Sequence, residues 1–162
     1  MFYMRNATLL FLIKKSENGI SEICLAMKKR GFGAGKWNGV GGKVLENESI
    51  EEATLRETKE EIGVDAKNLL KVSELSFNFP HNPDWNQVVH VYLSHEWENE
   101  PTESEEMKPQ WFLTNNIPLN EMWPVDPFWL PHVIDGKFLK ASFTYGENDI
   151  VLENKVDFVD LL

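Results

Sequence analysis

The junction between a glycine-rich segment and a glutamate-rich segment is the feature that most constrains how this chain folds. Residues 30–42 read RGFGAGKWNGVGG and contain six glycines, which predicts a loop that bends freely and approaches another part of the chain closely. A helix is predicted after this loop, from about Ser49 to Ile62. Ser49 suits the N-cap, Glu52 completes a capping box, and Gly63 ends the helix.

The predicted helix carries glutamates on or beside the face that it should bury. With about 100° of rotation per residue, Glu57, Glu60 and Glu61 fall close to the apolar stripe that begins at Ile50. Buried like charges repel, and without partners they are costly to desolvate. A divalent cation removes that cost, because Mg²⁺ prefers oxygen ligands. The alternative left open by this segment is an acid-rich helix that faces solvent.

The remaining segments predict a mixed sheet between two helices. Strands are predicted at 6–15, 21–29, 69–79, 87–97, from Gln110, and at 137–146 and 149–159, with loops at 80–86 and 99–109. A second helix is predicted within 122–136, where Pro127 suits the first turn and Pro131 favours a late start or a kink. Nothing resembling a linker divides the chain, so one domain over residues 1–162 is expected.

Composition limits the partners and the compartment. The net charge of −10 argues against binding along a nucleic-acid backbone, but it allows a small anionic ligand that is bridged by cations. Cys24 is the single cysteine and lies in an apolar run, so we expect a core residue in a reducing compartment. The apolar run 7–13 is too short to span a membrane. We therefore expect a cytoplasmic protein without membrane or nucleic-acid partners.

The spacing of residues between Gly42 and Val64 resembles the signature of a known enzyme family. Glu48 follows after five residues, and seven residues later the chain reads RETKEEIGV. This resembles the Nudix box, G-x5-E-x7-R-E-U-x-E-E-x-G-U with U a bulky apolar residue, and it matches eight of the nine specified positions. The exception is Thr58 in place of U. We expect Thr58 to face the sheet and soften packing there without loss of chemistry.

Similarity to Nudix hydrolases of the mammalian MutT type extends to residues 27–44, 77–79, 105–112 and 122–129. It implies a Nudix α/β/α sandwich with a mixed β-sheet. It also implies Mg²⁺-dependent attack of water on an oxidised or otherwise modified purine nucleoside triphosphate, which releases the monophosphate and pyrophosphate and so sanitises the nucleotide pool. Mn²⁺ is the alternative cofactor. A monomer whose partner is a small-molecule nucleotide is expected.

The same resemblance implies roles for individual residues. The implied metal ligands are Glu57, Glu60, Glu61, Glu106 and the carbonyl of Gly41. Arg56 and Glu48 would pair and orient those carboxylates. The residues implied at the phosphate end of the substrate are Lys28, Gly41, Gly42 and Lys43. Glu60 and Glu106 are both candidates for the proton acceptor, and the sequence does not choose between them. Without the resemblance, the acidic loop around Glu106 would be interpreted as solvated.

The base would lie among aromatic and polar side chains. The residues implied are Thr8, Phe32, Asn38, Phe77, Phe79, Trp123 and Asp126. Purines stack on aromatic faces, and an amide such as that of Asn38 can bind a purine edge. Phe77 and Phe79 also suit an ordinary core, because alternate positions of a strand share one face.

One departure from the family lies in this base-binding group. The related enzymes carry two consecutive acids after Trp-Pro, whereas this chain has Val125 followed by Asp126. We therefore expect Asp126 to bind the purine edge alone, with a pKa raised by its apolar surroundings. Oxidised guanine should then be a poorer substrate than it is for the relatives, and adenine-type or alkylated purines should be better substrates than they are for the relatives.

Two other functions stay open on the sequence alone. A Nudix pyrophosphatase that acts on nucleotide sugars or dinucleoside polyphosphates would share the box. A nucleotide-sensing Nudix module without turnover would be expected to have a decayed box, whereas the box carboxylates and Arg56 are intact here. Decapping of RNA needs a basic surface, which the net charge of −10 argues against despite the basic run 27–36.

Overall fold

Ten strands and two helices make up the computed structural model, which describes residues 4–162; the first three residues of the predicted domain lie outside the described ones. The strands are β1 Arg5–Ser16, β2 Gly19–Lys28, β3 Trp37–Asn38, β4 Asp65–Lys67, β5 Leu70–Asn78, β6 Gln87–Ser94, β7 Glu96–Glu98, β8 Met107–Leu113, β9 Phe138–Tyr145 and β10 Val151–Val159. The helices are α1 Ile50–Ile62 and α2 Asp126–Ile134. Short 3₁₀ turns cover Pro83–Trp85, Thr114–Asn116, Leu119–Glu121 and Glu147–Asp149.

The main sheet is mixed, as predicted. Its order is β10-β9-β5-β6-β1-β2-β3, and β8 also pairs with β2. Strand β1 lies parallel to β6 and antiparallel to β2, while β9 lies parallel to β5. A separate two-stranded sheet is formed by β4 and β7. The parallel pairs bring residues far apart in the chain to the same edge, which is where the cavity described below opens.

The two helices cover opposite faces of the main sheet. Alternate residues of β1 enter different cores: Phe11 packs in the core that contains Trp129 of α2, whereas Leu10 packs in the core that contains Ile62 of α1. Because successive side chains of a strand point to opposite faces, the sheet lies between the helices. The predicted α/β/α sandwich is confirmed. Neither helix is long and apolar enough to cross a membrane, and this holds for the whole of 4–162.

Helix α1 follows from local signals in the sequence. The Ser49 hydroxyl accepts a hydrogen bond from the Glu52 amide at 3.0 Å, and Gly63 ends the helix with φ of 73°. The buried residues of α1 are Ala53, Thr54, Thr58 and Ile62. Thr58 is fully buried and donates to the Thr54 carbonyl at 2.8 Å, so its hydroxyl is satisfied in the core. The expectation that Thr58 faces the sheet is confirmed.

Several boundaries differ from the sequence prediction. The loop prediction for 30–42 missed β3, and the loop prediction for 99–109 was wrong at its end, because β8 begins at Met107. The predicted strand 87–97 ends at Ser94, and β7 then pairs with β4, which the sequence did not suggest. Helix α2 starts at Asp126 with Pro127 in its first turn, as predicted, but the start is not late enough to exclude Pro131, which lies inside the helix. Cys24 lies in the core, as expected, where burial raises its pKa to about 12.

Candidate active site

The glycine-rich segment lies directly against β1. The amide of Thr8 donates to the Gly42 carbonyl at 2.8 Å, and the amide of Leu10 donates to the Val40 carbonyl at 2.7 Å. Gly41 approaches so closely that a Cβ added there would lie 1.8 Å from the Thr8 carbonyl oxygen. Only glycine fits at this position. The close approach predicted from the sequence therefore occurs, and it fixes the Gly41 backbone beside the glutamates of α1.

Arg56 uses all five of its N–H donors, four of them toward the carboxylates of Glu48, Glu57 and Glu60. Its Nε and Nη2 donate to both oxygens of Glu48 at 2.7 and 3.0 Å, and Nη2 also donates to the Lys43 carbonyl at 3.2 Å. Its Nη1 donates to Glu57 at 2.9 Å and to Glu60 at 3.2 Å. A guanidinium has five N–H donors, so this one is saturated. The predicted pairing of Arg56 with Glu48 is present, and it joins the loop to the helix.

Glu61 lies where negative charge is least well compensated. Its carboxylate accepts a hydrogen bond from the Gly41 amide at 3.3 Å. Burial raises the pKa of Glu61 to about 8, and the charges of Glu57 and, more weakly, Glu106 act in the same direction, against the amide and Lys28. These carboxylates therefore share one electrostatic field that favours an added proton or cation.

The acidic loop before β8 is tied to both neighbouring elements. The Thr102 amide donates to the Ile62 carbonyl at the end of α1 at 2.9 Å, and the Lys29 amide donates to the Glu106 carbonyl at 2.8 Å. The Glu106 side chain itself is 57% exposed and lies 3.6 Å from the Arg30 guanidinium. Glu60 is 59% exposed. Both candidates for the proton acceptor are thus accessible to water, and their exposure does not distinguish them.

The oxygen donors near Gly41 suit a hard divalent cation. Glutamate carboxylates and a backbone carbonyl are the ligands that Mg²⁺ and Mn²⁺ use. Burial, and then repulsion from Glu57, raise the pKa of Glu61, and a cation would offset both effects. Within residues 4–162, no three acidic, histidine or cysteine side chains are gathered closely enough to hold an ion. Arg56 engages Glu57 and Glu60, and Arg30 lies beside Glu106. The metal site therefore stays a prediction.

A cavity of about 290 Å³ extends from Glu61 to a wall of aromatic side chains. All of the residues predicted to bind substrate line it, together with Glu61. They are Thr8, Lys28, Phe32, Asn38, Gly41, Gly42, Lys43, Phe77, Phe79, Trp123 and Asp126. The other predicted catalytic residues, Glu48, Arg56, Glu57, Glu60 and Glu106, lie outside the lining, and Arg56 or the acidic loop connects them to it. The roles of all these residues stay predictions.

The aromatic wall is built from three elements. Phe32 on the glycine loop stacks on Trp123 with ring centroids 5.2 Å apart, and Gly33 allows that contact, because a Cβ there would lie 3.1 Å from the indole. Lys36 Nζ lies 5.3 Å from the centre of the same indole. Phe77 and Phe79 are half-buried and extend the wall from β5. They pack against the core as well, so the core and cavity interpretations both hold.

Asp126 is a buried carboxylate in this wall. Its oxygens accept hydrogen bonds from the Trp123 amide and the Trp129 indole, each at 3.0 Å. Burial raises its pKa to about 6, in the predicted direction, although both of these donors oppose the change. Asp126 therefore also fixes the start of α2, a structural role that the sequence did not show.

Sequence reasoning missed four polar residues that line the cavity. They are Lys36, Gln87, Tyr145 and Asp149. Lys36 lies in the glycine loop whose basic character was noted, so its position could have been inferred. Tyr145 continues the alternation of Leu139, Ala141 and Phe143 along β9, a signal that was present in the sequence. The alternation does not reveal that β9 lies beside β5.

Similarity to a protein-family model shows which family the chain belongs to. A model described as the NUDIX domain matches residues 4–133. The chain belongs to the Nudix family. Two Nudix relatives are called oxidized purine nucleoside triphosphate hydrolase. The one from Danio rerio is 39% identical over 160 residues, 99% of each chain. The one from Mus musculus is 43% identical over 138 residues, 85% of this chain and 88% of the relative.

Solved Nudix structures share the architecture. The crystal structure of a MutT protein from Bacillus halodurans superposes with a TM-score of 0.80 over 95% of this chain and 98% of that one, at 23% identity. The NUDIX domain of Shewanella oneidensis NrtR, solved with ADP ribose, gives a TM-score of 0.62 at 15% identity, over 82% of this chain and 86% of that one. At these identities the likeness supports the Nudix fold alone.

Proposed function

We propose that this protein hydrolyses oxidised or otherwise modified purine nucleoside triphosphates to the monophosphate and pyrophosphate with the help of Mg²⁺, and thereby sanitises the nucleotide pool. The observation that carries the proposal is the single cavity that runs from the aromatic wall to Glu61 and Lys28. In that arrangement a base would lie against the aromatic wall and its triphosphate would lie near Glu61 and Lys28. The two relatives named oxidized purine nucleoside triphosphate hydrolase support the substrate class.

At the base end, flat aromatic surfaces and few polar groups favour a stacked purine. Trp123, Phe77 and Phe79 supply aromatic faces, and stacking on such a face is worth about 1–3 kcal/mol per base. The Asn38 carbonyl oxygen accepts a hydrogen bond from the Gly39 amide at 2.9 Å, so its amino group is left to donate into the cavity. The net charge of −10 supports a free nucleotide over a nucleic acid as the substrate.

At the phosphate end, the chain supplies both signs of charge. Lys28 and Lys43 line the cavity and can neutralise phosphate oxygens. Nudix hydrolases generally need a divalent metal ion. We assign its ligands to Glu57, Glu60, Glu61, Glu106 and the Gly41 carbonyl. When bound, such an ion would neutralise phosphate charge and lower the pKa of water.

Positioning of these carboxylates falls to Arg56. Its bidentate pair with Glu48 anchors the guanidinium to the loop, and the opposite edge of the same group holds Glu57. The proton released by the attacking water would pass to Glu60 or Glu106, which are both exposed beside the cavity. Glu60→Gln and Glu106→Gln separate these two, because only loss of the acceptor should remove the acidic limb of the pH profile of kcat.

A substrate panel tests the proposal. Pyrophosphate release would be measured for 8-oxo-dGTP, 2-hydroxy-dATP, methylated purine triphosphates and the four ordinary dNTPs, with Mg²⁺ and after chelation. We expect Mg²⁺-dependent release with the highest kcat/KM on a modified purine. Nucleotide sugars and dinucleoside polyphosphates would be added with detection of the released nucleotide, and a higher kcat/KM on one of them would identify the related pyrophosphatase instead. Binding of nucleotides without any turnover would identify a sensing module.

A further inference from the structure

Tyr145 lines the cavity but has no role in the base site proposed above. Tyr145 ends β9 and is only 3% exposed. Its ring stacks on Phe79 with centroids 5.4 Å apart and an interplanar angle of 7°, and on Phe77 at 6.1 Å and 19°. The phenol is therefore held between the aromatic wall and α2, with its ring in a fixed orientation.

The sheet determines this position. Strands β5 and β9 pair in parallel, with Phe77 opposite Phe143 and Asn78 opposite Thr144. The same register carried one residue further places Phe79 opposite Tyr145, which agrees with their stacking. Tyr145 thus enters the cavity from a strand, and strands hold side chains more rigidly than loops do.

Two carboxylates, those of Asp126 and Asp149, line the same cavity as Tyr145. Burial, and then the charges of Asp126 and Asp149, raise the pKa of Tyr145, so the phenol keeps its proton. The Val125 backbone acts in the opposite direction. A protonated phenol has an O–H that can donate a hydrogen bond to a ligand.

Asp149 supplies the cavity with a second carboxylate besides that of Asp126, whereas Val125 replaces one of the two consecutive acids of the relatives. It lies in the turn between β9 and β10, where Asn148 and Asp149 both adopt left-handed backbone conformations with φ of 60° and 59°. The turn is closed by a hydrogen bond from the Gly146 amide to the Ile150 carbonyl at 2.7 Å. Asp149 is exposed at the cavity mouth, so its carboxylate can meet a ligand with little desolvation.

We propose that Tyr145 is a specificity-determining residue that donates a hydrogen bond to an acceptor on the purine, while Asp126 and Asp149 accept hydrogen bonds from neighbouring N–H groups of the same base. This arrangement favours a guanine-type base, which offers a carbonyl oxygen beside N–H donors, over a purine without exocyclic groups. Asp126 then does not act alone, contrary to the expectation from the sequence. The inference rests on the proposed function, because it requires a purine in the cavity.

The test compares two substrates in one variant. Tyr145→Phe removes the hydroxyl and keeps the stacked ring. We expect the ratio of kcat/KM for 8-oxo-dGTP to kcat/KM for purine deoxyriboside triphosphate to fall about tenfold, chiefly through the KM for 8-oxo-dGTP, since one uncompensated hydrogen bond is lost. Tyr92→Phe is the matched control, because that tyrosine is buried in the core on the α1 side and should leave the ratio unchanged.

Each outcome is informative. Equal losses on both substrates in Tyr145→Phe would show a structural role and overturn the inference. Should that variant unfold, Asp149→Ala on the exposed turn carries the same test, because it removes the proposed acceptor, and an unchanged ratio in the folded Asp149 variant would overturn the inference as well. A native protein that cleaves neither nucleotide would refute the proposed function itself, which is a separate failure.

Discussion

Replacement of Gly42 by alanine tests whether the position of one carboxylate controls turnover. A Cβ at residue 42 would lie 2.6 Å from Oε1 and 2.7 Å from Cδ of Glu57. Carbon atoms pack at about 3.5–4.0 Å, so the Glu57 carboxyl group must retreat by about 0.8 Å. That movement would disturb the 2.9 Å bond to Arg56. Misplacement of a reacting group by about 1 Å can cost on the order of 100-fold in rate, and we expect that loss in kcat/KM.

Folding should survive this substitution. The backbone of Gly42 is not left-handed, and the atoms that must move belong to the end of a flexible side chain. We expect the free energy of unfolding to change by less than about 1 kcal/mol, because the smaller entropy of the unfolded chain offsets part of the strain. Pyrophosphate release and thermal unfolding of the same preparation measure both effects.

The neighbouring glycine provides the contrast. In Gly41→Ala the added Cβ would meet the Thr8 carbonyl oxygen at 1.8 Å, and a backbone atom in a central strand cannot retreat. Stability and activity should both fall, with a Tm loss of roughly 5–15 °C from a destabilisation of about 2–4 kcal/mol. A folded Gly42→Ala protein with native kcat/KM would refute the reasoning, because it would show that turnover tolerates a displaced Glu57.

Two further predictions concern charge. Arg56→Lys should lower kcat/KM by at least about 100-fold, because an ammonium cannot reproduce the forked contacts to Glu48 and Glu57; Lys59→Met, on the exposed side of α1, is the control and should change kcat/KM less than about twofold. In metal-free buffer, the free energy of unfolding should fall as the pH rises from about 5 to 8, because folded Glu61, with a pKa of about 8, keeps a proton that the unfolded chain releases near 4.5. Asp126 contributes to this fall in the free energy of unfolding only between pH 3.8 and about pH 6. In denaturation experiments on Glu61→Gln, the free energy of unfolding should therefore stop falling near pH 6. A native protein whose free energy of unfolding is constant from pH 6 to 8 would contradict the raised pKa of Glu61.

Features set by neighbouring residues were predictable from the sequence. Ser49 and Gly63 mark the two ends of α1 within a few residues of the glutamates, so the helix and its acidic edge follow from local chemistry. The glycine loop was predictable for the same reason, since only glycine tolerates the approach of Gly41 to Thr8.

Features set by distant pairing were not predictable in the same way. Tyr145 reaches the cavity because β9 lies parallel to β5, and the paired residues are 66 positions apart in the chain, so no local pattern reveals the pairing. Strands β4 and β7 are three residues each, too short for a period to appear. The structural role of Asp126 was hidden for a similar reason, because it depends on the indole of Trp129 meeting the carboxylate in the folded chain.

The placement of the helices on opposite faces of the sheet has a consequence for how such a protein can diversify. The groups around the base come from the glycine loop, β5, β9 and the start of α2, whereas Glu57, Glu60 and Glu61 come from α1. The two helices pack in different cores, α2 through Trp129 and α1 through Ile62. Changes such as Val125 can therefore accumulate on one side without disturbing the other, and a mutant library confined to β9 and α2 offers a route to new nucleobase selectivity on an unaltered hydrolytic centre.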